Sequence, residues 1–413
     1  MISNYLNLVF TNCKLLKRTS SFNDKATTLF FENQIKKDLI DINLSSELEL
    51  FNFLISKPYH QLTAVFSKSK HLQIFYLINS LNEYNAPKED YDSLGRYQYD
   101  SSIMKELGIK NNIVLDLIKN CVLGNEFLKS IFTISNHNSY FYLSHDIDSI
   151  YGSLTQDGMW AIKNKRPDVM WKLFFNLVMS KPHWLNFDLI MKTESEYDFK
   201  STFYWLVNKG KIDARQTNSD YSISSSKVIS EINDISKNGF EVGLHKSISN
   251  ESFKSEMAKM SISVHGNRFH YLKFQLPDAY NKIEEAGLKL DASLGFAEHY
   301  GFRNGYGYPF QPFNSNTNKP YSFVEVPLNI MDGTFQRYMQ IPVEKTADTI
   351  ISFLETHNQN ALLSILWHNT FFSNYKYKGY LNEYKKILAY LYEAKFQNIN
   401  QNEIINQFSW QKK

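Results

Sequence analysis

From Tyr140 onward the chain alternates short apolar or β-branched runs with amphipathic segments. The runs Tyr140 to Leu143, Thr202 to Val207, Phe240 to Leu244, Ile262 to Val264, Leu290 to Leu294, Phe323 to Leu328 and Leu362 to Leu366 predict about seven strands. Several intervening segments carry helix ends. Ser224 to Ser226 can cap a helix over Lys227 to Asn238 with Gly239 past its end, and Asp278 can open a helix to Ala286 that Gly287 closes. Strand and helix in repetition predict an α/β fold with a mainly parallel sheet or barrel. The first part of the chain has a different texture. Tyr5 to Phe10 and Thr27 to Phe31 have the look of strands in a small sheet, whereas Ile74, Leu77, Ile78 and Leu81 share one face of a helix over His71 to Tyr84. A loop over Asn85 to Ser102 and a largely helical stretch over Ile103 to Leu128 follow. The pattern predicts a small α+β domain over 1–134, then a (β/α) barrel of about seven strands over 135–413.

Composition narrows the class. Over 413 residues, 43% hydrophobic and 21% charged is a globular balance, and a net charge of +3 lacks the basic excess of a nucleic-acid binder. No run approaches the roughly 18 apolar residues of a membrane span, and the N-terminus lacks the pattern of a secretory signal. A soluble, cytoplasmic protein is expected. Cys13 and Cys121 have no metal-binding spacing and are assigned to packing.

Candidate chemistry follows the strands. Tyr140 to Leu143 leads into Ser144-His145-Asp146-Ile147-Asp148, and Phe240 to Leu244 into His245. Ile262 to Val264 leads to His265, Arg268 and His270, and Leu362 to Leu366 to Trp367 and His368. Loops after strand C-termini share one face of a (β/α) barrel, so these side chains can converge. Asp146 and Asp148 point the same way in an extended segment, and a divalent cation is one way to keep two such carboxylates ionised. One carboxylate with two imidazoles is a common catalytic zinc set, for which His245 and His270 are the candidate imidazoles beside one of the two aspartates. Capping of the next turn is the plainer use of the two aspartates. His145 points away from Asp146 and is assigned to packing, and His265 and His299 rank below His270 as ligands. The aromatic run Tyr306-Gly307-Tyr308-Pro309-Phe310 suits a packed loop or a sugar-stacking surface.

These motifs, from Tyr142 to roughly Phe372, resemble the polysaccharide deacetylases of the NodB-homology type, and more closely a bacterial subgroup with a small additional N-terminal domain. The resemblance implies a distorted (β/α) barrel that removes acetyl groups from N-acetylated sugars with a bound metal. Ser144 to Asp148 resembles the first motif, with Asp146 as general base and Asp148 as ligand. Glu241 to His245 resembles the approach to the second, Arg268 to Tyr271 the arginine-led third, and Leu366 to Asn369 the last, with His368 as general acid. Arg268 would orient the base. Gly301-Phe302-Arg303-Asn304-Gly305 resembles a subgroup element. Arg303, Tyr271 and Trp367 are the candidate substrate contacts.

One departure bears on the metal. The second motif of the family is His-x-x-x-His, and four residues after His245 stands Ser249. His270 can complete an Asp-His-His set only if its ring reaches the same point. The expected function is therefore a zinc-dependent hydrolase of an N-acylated sugar in surface polysaccharide synthesis. A hydrolase of a non-sugar C–N bond and a metal-free barrel that binds glycan or a biosynthetic partner are the alternatives.

Overall fold

A computed structural model describes residues 1–212 and 216–410. Its centre is a parallel sheet of β1 (Tyr140–Ile147), β2 (Ser201–Leu206), β3 (Glu241–Lys246), β4 (Gly266–Phe269), β5 (Leu290–Asp291), β6 (Val324–Glu325), β7 (Leu328–Met331) and β8 (Leu362–Leu366). The spatial order is β6-β5-β4-β3-β2-β1-β8-β7, and β9 (Gln397–Asn398) pairs with the start of β1. The end strands β6 and β7 are separated in sequence only by Val326 and Pro327, so the chain itself joins the two ends of the sheet. A single interrupted strand thus borders β5 with its first half and β8 with its second. The break falls at a proline, which has no N–H to give to a ladder. The result is a curled α/β barrel with helices between its strands.

The strands follow the expected runs with three differences, the first being that Leu290 to Leu294 is a strand only over Leu290–Asp291. Ile262 to Val264 is not a strand; β4 begins at Gly266 and carries Arg268 within it. The run Phe323 to Leu328 divides into β6 and β7, and β7 continues to Met331.

The first 131 residues are mostly helical, which corrects the expected strands there. Tyr5 to Phe10 lies in the helix Ile2–Asn12, and Thr27 to Phe31 in the helix Asp24–Ile42. Ile2, Tyr5, Leu6, Val9 and Phe10 are all buried, at the i, i+3, i+4, i+7, i+8 spacing of a helix face. The short apolar run masked that longer period. Only Leu16–Arg18 and Phe132–Ile134 pair as strands in this region, antiparallel to each other. The helix containing Ile74 is shorter than expected, Lys70–Ile78, because Ser80 turns into the left-handed region at φ 50° and Leu81 starts a separate turn.

That turn fastens the helical region to the barrel. Glu83 lies within it, and its carboxylate takes two hydrogen bonds from the Arg303 guanidinium, Nε to Oε1 at 3.0 Å and Nη2 to Oε2 at 2.6 Å. The third donor direction of Arg303, Nη1, reaches the Gly295 carbonyl at 2.8 Å. Both side chains are 2% exposed. Removing one partner strands the other as a buried charge, so Glu83→Ala should lower unfolding stability by about 3–5 kcal/mol, read as a shift of the urea midpoint.

Candidate metal and hydrolase site

Asp146 lies in β1, His245 in β3 and Arg268 in β4, yet the Arg268 Nη1 is 3.0 Å from Asp146 Oδ1. Three strand spacings separate β4 from β1, roughly 14 Å on a flat sheet, so only the curl of the barrel permits this contact. Arg268 is fully buried and held in place by the Ala292 carbonyl (Nε, 2.8 Å) and Ser144 Oγ (Nη1, 2.9 Å). Its guanidinium sits 4.8 Å from the centre of the Tyr204 ring. Tyr204 can lie there because Gly243 has no side chain: a Cβ on Gly243 would fall 2.4 Å from the ring.

Asp148 follows β1 directly, and the loop behind it is pinned by Asp220. The Asp220 carboxylate accepts the backbone N–H groups of Ile150 and Tyr151, each at 2.8 Å, and of Gly152 at 2.5 Å. Negative charge at the start of the helix Gly152–Lys163 also suits the helix dipole. Asp148 Oδ1 is 3.2 Å from His245 Nε2 and 3.4 Å from His270 Nδ1. The ligating atoms of Asp148, His245 and His270 all lie within 4.8 Å of one another.

The hydrogen bonds fix the tautomers of both imidazoles. His245 Nδ1 is 3.0 Å from the Arg268 carbonyl, and His270 Nε2 is 2.9 Å from the Thr217 carbonyl. A carbonyl only accepts, so these nitrogens carry the N–H, and the lone pairs reside on His245 Nε2 and His270 Nδ1. Those two nitrogens face each other at 3.1 Å beside Asp148 Oδ1, an oxygen with no hydrogen-bond donor. Two lone pairs and a carboxylate at such range repel unless a proton or a cation sits among them. This donor set suits a divalent metal, and an Asp-His-His set with an open position is a common arrangement for catalytic zinc. The backbone carbonyls orient the two rings as second partners commonly do at metal sites.

The electrostatics agree with that reading. Burial alone would raise the Asp148 pKa, but His270, His245 and His368 overcome it and hold the carboxyl well below the usual carboxylate range. Burial, with His245 close by, pushes His270 down to about 4 against the pull of Asp148. Burial opposes the charge on His245 as well, yet Asp146 and Asp148 draw its pKa upward. Tyr271 and Leu272, directly after His270, both adopt left-handed backbone, φ 60° and 53°. Such conformations cost non-glycine residues roughly 1–2 kcal/mol each and persist where the surroundings enforce them. This turn follows the residue whose ring meets His245.

His368 approaches from the other side, its Nε2 3.8 Å from Asp148 Oδ2. Its Nδ1 pairs with Asp332 Oδ1 at 2.7 Å, and its backbone N–H donates to Asp332 Oδ2 at 2.6 Å. Burial works against the imidazolium, but Asp332, joined by Asp148 and Asp146, overcomes it and the pKa is pushed up to about 10. Asp332 is missing from the sequence-based candidates although it obeys their rule: it is the first residue after β7. Ending that strand at Leu328 concealed it.

The cleft above these groups measures about 760 Å³ and is lined by Asp146, Asp148, His245, His270 and His368. Tyr271 lines it as well. The structure does not bring Arg303 or Trp367 into this group. Arg303 is committed to Glu83 and Gly295, as above. Trp367 is fully buried with its ring against Tyr384, because the alternation along β8 sends it outward from the barrel. Ser249 bonds to Asn208, Ser247 and Glu256, which also holds the buried Lys246. His145 is bonded to the Trp367 carbonyl and Glu194, in the packing role expected of it. His265 is exposed, His299 stacks on Tyr99, and the aromatic run from Tyr306 to Phe310 is buried.

No protein-family model matches the chain, and no curated protein sequence matches it. Solved structures do show similarity. One is a candidate polysaccharide deacetylase from Mycobacterium smegmatis, 10% identical over 65% of this chain and 90% of that one, TM-score 0.41. Another is the chitin deacetylase of the fungal pathogen Colletotrichum lindemuthianum, 11% identical over 65% and 88%, TM-score 0.34. A third is a CE4-family pseudoenzyme from Bacillus anthracis, 9% identical over 68% and 72%, TM-score 0.34. Identities this low leave function to be judged from the site itself.

Proposed function

We propose that the cleft is the active site of a metal-dependent hydrolase that removes an acyl group, acetyl in the simplest case, from the nitrogen of an N-acylated sugar. The observation that carries this reading is the convergence of three ligand atoms between an arginine-held carboxylate and an aspartate-held imidazolium. Asp148, His245 and His270 would hold the cation, zinc by their chemistry. When bound, the cation supplies Lewis acidity, which acidifies water and polarises the acyl carbonyl.

The chain's own groups divide the proton work. Asp146, whose Oδ2 is 3.6 Å from His245 Nε2, is placed to accept a proton from the attacking water, and Arg268 keeps it oriented. His368, charged through Asp332, is placed to donate a proton to the leaving nitrogen, which departs poorly as an anion. Tyr271 offers a ring face at the rim. Lys209, Lys211, Arg337 and Lys376 also line the cleft, and none forms an ion pair among the described residues. That uncommitted positive charge extends the reading to a sugar carrying a carboxylate or phosphate.

The experiment pairs metal analysis of the purified protein with acetate release from N-acetylated sugars, neutral and acidic. About one zinc per chain and turnover that favours the acidic substrates is the expected result. A chain without metal after zinc supplementation, and without acetate release, would overturn the hydrolase reading in favour of glycan binding alone.

A further inference from the structure

Between β1 and β2 the chain inserts a helical hairpin, Gly152–Lys163 and Pro167–Val178, each helix 12 residues long. Its inner seam is a small apolar cluster of its own, Ala161, Val169 and Leu173 with Leu154, Trp160 and Tyr375, separate from the main core. The outer face carries the anomaly. Trp171, Phe174, Phe175 and Val178 follow the i, i+3, i+4, i+7 spacing of a helix stripe, and all four are exposed, Trp171 by 73%. Met159 and Ile162 on the first helix are exposed by 72% and 67%. A helix on the surface of a soluble protein normally turns polar residues outward, so this second apolar face lacks its partner. A groove of about 580 Å³, lined by Ile162, Pro167, Met170, Trp171 and Phe174, opens in the same surface.

We propose that this hairpin docks on the anionic surface of a lipid bilayer, lying along the interface with its apolar stripe immersed. The charge of the hairpin selects that occupant. Exposed Lys163, Lys165 and Lys172 fringe the stripe without an ion pair among the described residues. Of the two acidic side chains between 151 and 181, Asp168 is paired with Arg166 and Asp157 is buried against Trp184 and Ser373. Basic residues beside a Trp- and Phe-bearing stripe are the composition of an interfacial helix. A second copy docked by two-fold symmetry would set the lysine fringe against itself, whereas anionic headgroups neutralise it. At about 1.5 Å per residue each helix is near 18 Å long, too short to cross a bilayer core of about 30 Å, so the hairpin lies on the surface. Among the described residues no helix is long and apolar enough to cross a membrane. The inference is independent of the hydrolase reading, although the first helix contributes Gly152, Thr155 and Gln156 to the cleft wall and would hold the cleft close to the bilayer.

Flotation of the full chain with vesicles tests this. Vesicles of equal parts phosphatidylglycerol and phosphatidylethanolamine should carry the protein, and vesicles of phosphatidylcholine alone should carry it at least about tenfold less. The double substitution W171E/F175E and, separately, K163E/K172E should each reduce flotation by about tenfold or more. All four side chains are exposed, so circular dichroism and the melting midpoint should be unchanged, and the charge-reversal pair keeps an apolar stripe for comparison. Absence of the wild-type chain from anionic vesicles would overturn the proposal. So would equal flotation of folded variants, or a wild-type dimer in lipid-free solution that W171E/F175E converts to monomer.

Discussion

Replacing His270 by alanine should empty the metal site. The wild-type protein should hold about one zinc per chain after dialysis against a weak chelator, and His270→Ala should lose affinity by on the order of 10³-fold or more, with hydrolysis falling alongside. Among the described residues His270 is one of the three whose ligand atoms lie within 4.8 Å of one another, and its Nδ1 lone pair is fixed by the Nε2–H bond to Thr217. Ser249 has no freedom to replace it, since its hydroxyl is engaged with Asn208, Ser247 and Glu256. Metal per chain by mass spectrometry reads the result without recourse to activity. Unaltered zinc content in a folded His270→Ala protein would remove this residue from the ligand set.

The second large effect is expected at His368, the proposed proton donor. On the proposed function, His368→Ala should lower kcat by about 10²–10⁴-fold while zinc content stays at the wild-type level, because the ring is the proposed proton donor and is outside the three-residue cluster. Asp332→Asn sharpens the test through pH. A general acid works only while protonated, and the His368 pKa is pushed up to about 10 against burial by Asp332 foremost, with Asp148 and Asp146 adding to it. Without the Asp332 carboxylate the imidazole should titrate closer to its ordinary value of about 6.5. The alkaline fall of kcat should therefore move to lower pH by more than one unit, with the acid limb unaffected. An alkaline limb that stays in place would show that another group supplies the proton.

Each site residue shows a different degree of legibility in the sequence. Asp146, Asp148, His245 and His368 stand at or just after apolar runs that proved to be β1, β3 and β8, so a strand reading alone marks them as neighbours at one end of a barrel. Asp332 obeys the same rule but is hidden in the sequence, because the apolar run ends at Leu328 whereas β7 continues to Met331. Arg268 was placed beyond a strand, whereas it lies inside one, and its long side chain crosses the barrel to reach Asp146. Arg303 stands in a motif that suggested a substrate contact, but burial against Glu83 makes it a brace.

What the sequence determined by itself is local: alternation sets the strands, their order in the chain sets a parallel α/β barrel, and residue types after strand ends mark the candidates for metal and proton chemistry. The helices of the first 131 residues escaped because a short apolar run fits a strand and one side of a helix equally well; which of them forms depends on the surface it packs against. Only the tertiary structure brings the His270 ring beside Asp148 and His245, and sets Asp332 against His368. Those outcomes rest on barrel curvature and on which carbonyl meets which ring nitrogen. Distances across a closed sheet are set by packing between residues far apart in the chain, and no spacing along the sequence encodes them directly.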